Sequence, residues 1–190
     1  MKSKDELKEI HRRVDQAVYK GGDVNLVSAI ETRLKNEADE ATRRELNLAL
    51  ASAYRSLERF ADSKRIYLML ANQSPDEPMP LIILAGQKLN EENQPAAAMQ
   101  VIDRAIKAAY RSNNFRRLAL GAKARIALEQ KKFSVVEDVI RQLLQLRHDK
   151  RGVDIGRERD FFDRLPPGAI DENLAREFDQ YSRSARSSGR

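Results

Sequence analysis

Residues 48 to 75 carry the pattern that most narrows what this chain can become. Leu48, Leu50, Ala51 and Tyr54, then Phe60, Ser63 and Tyr67, and finally Pro75, have the spacing of two short antiparallel helices closed by a proline. Proline has no amide hydrogen and cannot sit inside the next helix, so Pro75 fixes where the next hairpin starts. A helix hairpin of about 34 residues is the repeating unit of an α-solenoid, an architecture that is above all a binding surface.

The rest of the chain repeats the theme. Apolar residues recur with helical period nearly everywhere and runs of period two are missing, so the chain reads as all-α. Leu7, Ile10, Val14 and Val18 mark one face of a first helix that Gly21 and Gly22 end, and Val27, Ile30 and Leu34 point inward from a second. Downstream of Pro75, a hairpin beginning at Met79 offers Leu84, Ala85 and Gly86 for close helix contact, turns at Asn93, Gln94 and Pro95, and continues with Ala98, Ile102 and Ala105. A third unit has Leu120, Ala124 and Ala127 on its first helix, then Phe133, Val136, Ile140 and Leu143 on its second. Phe133 follows Phe60 by 73 residues, close to two repeat lengths of about 34.

The spacing of Ala51, Tyr54, Phe60, Ser63 and Tyr67 resembles the tetratricopeptide repeat. In that family a small residue precedes an aromatic by one turn on the first helix, an aromatic starts the second, and a small residue precedes another aromatic there. The resemblance implies a right-handed α-solenoid of stacked antiparallel helix hairpins with a C-terminal capping helix. It assigns a degenerate hairpin to 3–43 and repeats to 44–78, 79–112 and 113–150, then a linker and capping helix over 151–183 and a disordered tail over 184–190. The chain departs from the family in having no Trp, and in placing Glu58 and Lys131 in turns where glycine is usual.

Periodicity breaks after Lys150. Arg151, Gly152 and Gly156 loosen the chain, Phe161, Phe162 and Leu165 form a short apolar cluster, and Pro166, Pro167 and Gly168 form a turn. Ile170, Leu174, Phe178 and Tyr181 then have the spacing of one more amphipathic helix, with Asp171 at its N-terminus where negative charge is favoured. A last repeat exposes an apolar face that such a helix can cover. Phe161 and Phe162 either pack under this cap or fold back into the groove as a built-in occupant, and packing is the favoured reading.

Motifs for chemistry are missing. There is no cysteine, which removes disulfides and thiolate chemistry, and His11 and His148 stand alone without metal-ligand spacing. No nucleotide-binding or nucleophile motif is present, and acids scattered over a chain that is 34% charged do not define a catalytic pair. The reading is therefore non-catalytic, without cofactor or metal. No apolar run reaches the roughly 18 residues needed to cross a bilayer, and the charged start of the chain is unlike a signal peptide, so the expected location is cytoplasmic.

What remains is surface. In the tetratricopeptide family the first helices line a concave groove, and the resemblance places Ser52, Arg55, Ser56, Gln87, Asn90, Glu91, Arg125 and Glu129 there, with Gly121 leaving space for a ligand one turn before Arg125. Long donors such as Arg55, Gln87, Asn90 and Arg125 suit carboxylates and carbonyls. The leading expectation is an adaptor that holds a protein segment or peptide, acidic in character, in this groove. The alternative is nucleic-acid binding. Residues 111–190 hold 18 Lys plus Arg against 12 Asp plus Glu, whereas the first 110 hold 17 of each. Its residues would be Arg111, Arg116, Arg117, Lys123, Arg125, Lys131 and Lys132, although few aromatics accompany them for base stacking. A further alternative is a homo-oligomer built by end-to-end stacking or exchange of the cap.

Overall fold

Helices in this chain end where a residue can leave the right-handed conformation. Gly21 (φ 97°), Glu58 (φ 59°), Asn93 (φ 50°) and Lys131 (φ 54°) all take the left-handed conformation, and each lies in the turn of one helix hairpin. In the computed structural model, which describes residues 2–148 and 154–187, they separate α1 (Lys2–Lys20) from α2 (Val24–Asn36), α3 (Glu40–Ser56) from α4 (Phe60–Gln73), α5 (Pro78–Asn90) from α6 (Pro95–Ala108), and α7 (Asn113–Glu129) from α8 (Phe133–His148). No strand occurs among the described residues.

Two of these turns are copies of each other. Glu58 N donates to Arg55 O and Arg59 N to Tyr54 O, at 3.0 and 2.9 Å; 73 residues later Lys131 N donates to Leu128 O and Lys132 N to Ala127 O, both at 2.9 Å. The 73-residue interval between Phe60 and Phe133 is thus an interval between identical helix stops. The helices start as deliberately as they stop. Asp23 accepts from Leu26 N at 3.1 Å, Asp39 from Thr42 N at 2.8 Å, and Ser112 from Phe115 N at 3.4 Å, satisfying amides that have no partner within the helix. Pro78 and Pro95 stand in the first turns of α5 and α6, where a missing amide hydrogen costs nothing.

The chain forms two compact units, one up to Ser74 and one from Pro75. In the first, α1 packs on α2 and α3, and α3 on α2 and α4. Its core is Val14, Ala17, Leu26, Val27, Ile30, Leu46, Ala51, Tyr54, Ile66, Tyr67 and Leu70. Tyr54 and Tyr67 are scaffold, as their spacing suggests, but Phe60 is 40% exposed. The Tyr67 hydroxyl shares a hydrogen bond of 3.1 Å with Ser52 Oγ, which lets the polar end of a buried ring stay satisfied. Gly22 is fixed by packing: a Cβ there would lie 2.8 Å from Ser56 O and closer still to the Leu57 side chain.

In the second unit α5 packs on α6 and α7, α6 on α7, and α7 on α8. Ala98, Ile102, Ala105, Leu120, Ala124, Ala127, Val136, Ile140 and Leu143 are all fully buried, the positions that the small and apolar spacing marks. Gly86 is different from its expected role, since a Cβ there would meet nothing within 4 Å and no close helix approach requires it.

The expected break at Arg151 and Gly152 lies outside the described residues. From Gly156 a 3-10 turn (Gly156–Glu158) runs into the single turn α9 (Arg159–Phe162), and Ala169 N closes the Pro166 to Gly168 turn by donating to Pro166 O at 3.1 Å. Helix α10 (Glu172–Ser187) follows, capped by Asp171, which accepts from Leu174 N at 2.9 Å. It continues four residues past the expected boundary at 183, into the Ser/Arg-rich stretch, while residues 188–190 lie outside the described residues. Leu174 and Phe178 of α10 lie in one buried cluster with Val136, Val139, Ile140 and Leu143 of α8. Phe161 is buried in the same cluster, its ring 5.7 Å from that of Phe178, and Phe162 packs on Phe178 at 4.9 Å.

Candidate functional site

A helix presents residues four apart on one face, and on α7 Arg117, Gly121, Arg125 and Glu129 make such a stripe. Gly121, Arg125 and Glu129 are the expected groove residues of this unit. The chain's own residues 156–165 lie along them. The Arg117 guanidinium bonds the Glu158 carboxylate, which also lies 3.5 Å from Arg125. Arg125 Nη1 donates to both Asp160 oxygens, at 2.9 and 3.1 Å, and Arg164 bonds Glu129.

Gly121 is what lets the two segments meet. A Cβ on it would lie 1.7 Å from Glu158 Oε2 and 2.5 Å from Cδ, so the carboxylate occupies the volume of the missing side chain. The space expected for a ligand above Gly121 is therefore filled by Glu158. Glu158 is 2% exposed and Arg117 5%, a buried ion pair. Burial pushes the Glu158 carboxyl above its ordinary range, and the charges of Arg125 and Arg117 offset this only in part. The other side of the segment is tied to α10. Arg159 bonds Asp179 at 2.6 Å and Ser182 Oγ at 3.1 Å. Burial works against ionisation of Asp179, but the bonds from Arg159 and Arg183 prevail and hold it below the usual carboxylate range.

The remaining groove residues of this unit are on α5. Gln87 is buried, whereas Asn90 and Glu91 are exposed at the end of the helix. The expected basic patch is dispersed. Arg117 is buried with Glu158, Lys123 pairs with Asp103 at 2.8 Å, and Arg111 stacks over the exposed Tyr110 ring at 4.9 Å. Arg116 and the exposed Lys131 and Lys132 stand at opposite ends of α7, roughly 20 Å apart at 1.5 Å per residue.

In the first unit one open feature is a cleft of about 620 Å³ between α1 and α3, and a second of about 470 Å³ lies between Glu40, Arg43 and Asn47 of α3 and Met69 and Gln73 of α4. Leu7, Lys8, His11, Arg12 and Asp15 line one wall of the first, and Ala41, Thr42 and Glu45 the other. Its lining exposes more apolar than polar surface, and Leu7 and Ala41 stand there among side chains of both charges, Lys8, Arg12, Asp15 and Glu45. Arg12 Nε donates to Glu9 at 2.8 Å, which holds the Glu9 carboxyl below its ordinary range. Ser52, Arg55 and Ser56 lie further along α3. Glu45, Ser52 and Ser56 share one face of α3, seven and four residues apart, but Arg55 lies off that face. The hydroxyls of Ser52 and Ser56 are bonded to Tyr67 and to Ala53 O, and none of Ser52, Arg55 and Ser56 lines the cleft.

None of the cleft residues is among the site residues expected from the sequence, and the signal that leads to them is the pair of turns. Gly21 and Glu58 are both left-handed hairpin stops, 37 residues apart, and this shift carries Lys8, His11 and Asp15 onto Glu45, Leu48 and Ser52. The aromatic spacing that marks the second hairpin is missing from the first, so nothing in the apolar pattern alone draws attention to α1. Glu158 carries no local signal, because its partner Arg117 is 41 residues away in the chain.

Among the described residues no group of three or more His, Cys, Asp and Glu side chains could hold a metal ion, and no helix is long and apolar enough to cross a membrane. No protein-family model, curated protein or solved structure matches this chain.

Proposed function

We propose that this protein is a non-catalytic adaptor of the tetratricopeptide-like type, holding an extended segment of a partner protein against the first helices of its hairpins. The observation that carries this reading is the open cleft between α1 and α3, the first helices of consecutive hairpins. A lining with an excess of apolar surface and side chains of both charges suits a peptide that inserts one apolar side chain and aligns polar neighbours around it. The repeated left-handed turns and the sequential helix packing support a right-handed solenoid as the frame. A cytoplasmic location belongs to the same proposal.

Replacing Ala41, which is exposed in the first turn of α3, by Trp fills the cleft without touching the core. Affinity capture from native lysate is expected to lose its specific partners with Ala41→Trp and to keep them with Arg141→Ala, an exposed change on α8. Identical partner sets for wild type and Ala41→Trp would refute the cleft reading.

A further inference from the structure

The stripe on α7 has the composition of a peptide-binding surface, and what occupies it is a piece of the same chain. Three charged residues of the segment, Glu158, Asp160 and Arg164, each meet a residue of opposite charge among Arg117, Arg125 and Glu129. The register is specific: two carboxylates two residues apart share Arg125, and the first of them enters the notch that Gly121 leaves. Replacing a buried ion pair by apolar packing of the same volume is often neutral or stabilising, so stability alone does not account for placing one here. Fully buried Ile155 and Phe161 already fasten the segment to the core, so the charged contacts with α7 are additional to what a cap requires.

We propose that residues 156–165 are a built-in occupant of a carboxylate-binding stripe on α7, closing it in cis against an acidic partner segment whose two carboxylates stand two residues apart. The inference rests on the reading of first helices as partner-facing surfaces. Arg117 and Arg125 would bind the incoming carboxylates as they bind Glu158 and Asp160, with the carboxylate nearest Gly121 desolvated and the other at the rim.

The test uses the full chain and, as probe, a fluorescent synthetic peptide of residues 154–166. Glu158→Gln with Asp160→Asn removes the competing charges and leaves Ile155 and Phe161 in place. This variant is expected to bind the peptide at least ten-fold more tightly than wild type, with affinity falling as salt rises, and a further Arg125→Glu is expected to abolish the gain. Asp160→Asn alone changes a side chain that is 55% exposed, so it keeps the fold, and a gain of two- to five-fold is expected from it. Hydrogen exchange at residues 156–165 is expected to quicken in both variants. Equal peptide binding by wild type and both variants overturns the proposal, as does a gain that survives Arg125→Glu. The α1 to α3 cleft is decided separately by Ala41→Trp, so either reading can fail alone.

Discussion

At the scale of single residues, the hairpin turns tell most. Glycine is the usual residue in such a turn, and Glu58 and Lys131 depart from it. Both residues are nevertheless left-handed, at φ 59° and 54°, so the turn geometry is kept and the side chain bears the strain. A left-handed residue with a Cβ costs about 1–2 kcal/mol, part of which glycine gives back through its greater freedom in the unfolded chain. Glu58→Gly and Lys131→Gly are each expected to stabilise by about 0.5–1 kcal/mol, read as a higher urea midpoint with unchanged slope. Asn93→Gly should gain less, because asparagine tolerates this conformation. Midpoints at or below wild type for both charged positions would show that the turns are not strained.

At the scale of elements, the last helix is legible in the sequence and the path of the segment before it is not. Leu174, Phe178 and Tyr181 announce α10 through helical spacing alone, while Ile170, expected on the same helix, lies two residues before its start; Leu174 and Phe178 share a buried cluster with α8. The apolar cluster at Phe161 and Phe162 was also visible, but its destination depends on contacts across the chain that no local pattern encodes. The two alternatives for this segment are joined in one structure. Phe161 packs under the cap with Phe178, while Glu158 and Asp160, from the same few residues, lie on the expected groove residue Arg125. Phe161 therefore holds both sides together. Phe161→Ala should cost roughly 3–5 kcal/mol, the range for truncating a buried phenylalanine. Hydrogen exchange should quicken along 156–165 and α10 and stay unchanged in α1 to α4, which belong to the other compact unit. Phe162→Ala, at a half-buried position, should cost less. Equal losses for the two would mean that Phe161 is not the anchor.

For the whole molecule, the fold class and most of the core could be read from helical spacing, because burial in a helical array follows a local period. What lies against the α7 stripe could not, since it depends on pairs such as Arg117 with Glu158, which only folding brings together. That pair also sets how stability responds to pH. The Arg13 bond holds Asp23 low, the bonds from Thr42 hold Asp39 low, and those from Arg159 and Arg183 outweigh burial at Asp179. A lowered carboxyl stabilises fully above the ordinary Asp value, near pH 4, and this is lost as pH falls through the depressed value. Glu158 has the opposite sign. Burial raises it, so the folded protein binds its proton more tightly than the unfolded chain does; its contribution is greatest below the ordinary Glu value, near pH 4.3, and declines as pH rises through the raised one. Glu158→Gln keeps a carbonyl acceptor for Arg117 but cannot titrate. Urea midpoints of the two proteins, taken from pH 4.5 to 7.5 at constant salt, should therefore diverge in slope. Wild type should lose stability with rising pH relative to Glu158→Gln, whatever the offset between them. Groups out of contact with Glu158 contribute alike to both curves, so parallel curves would mean that Glu158 ionises in the folded protein as freely as in the unfolded chain.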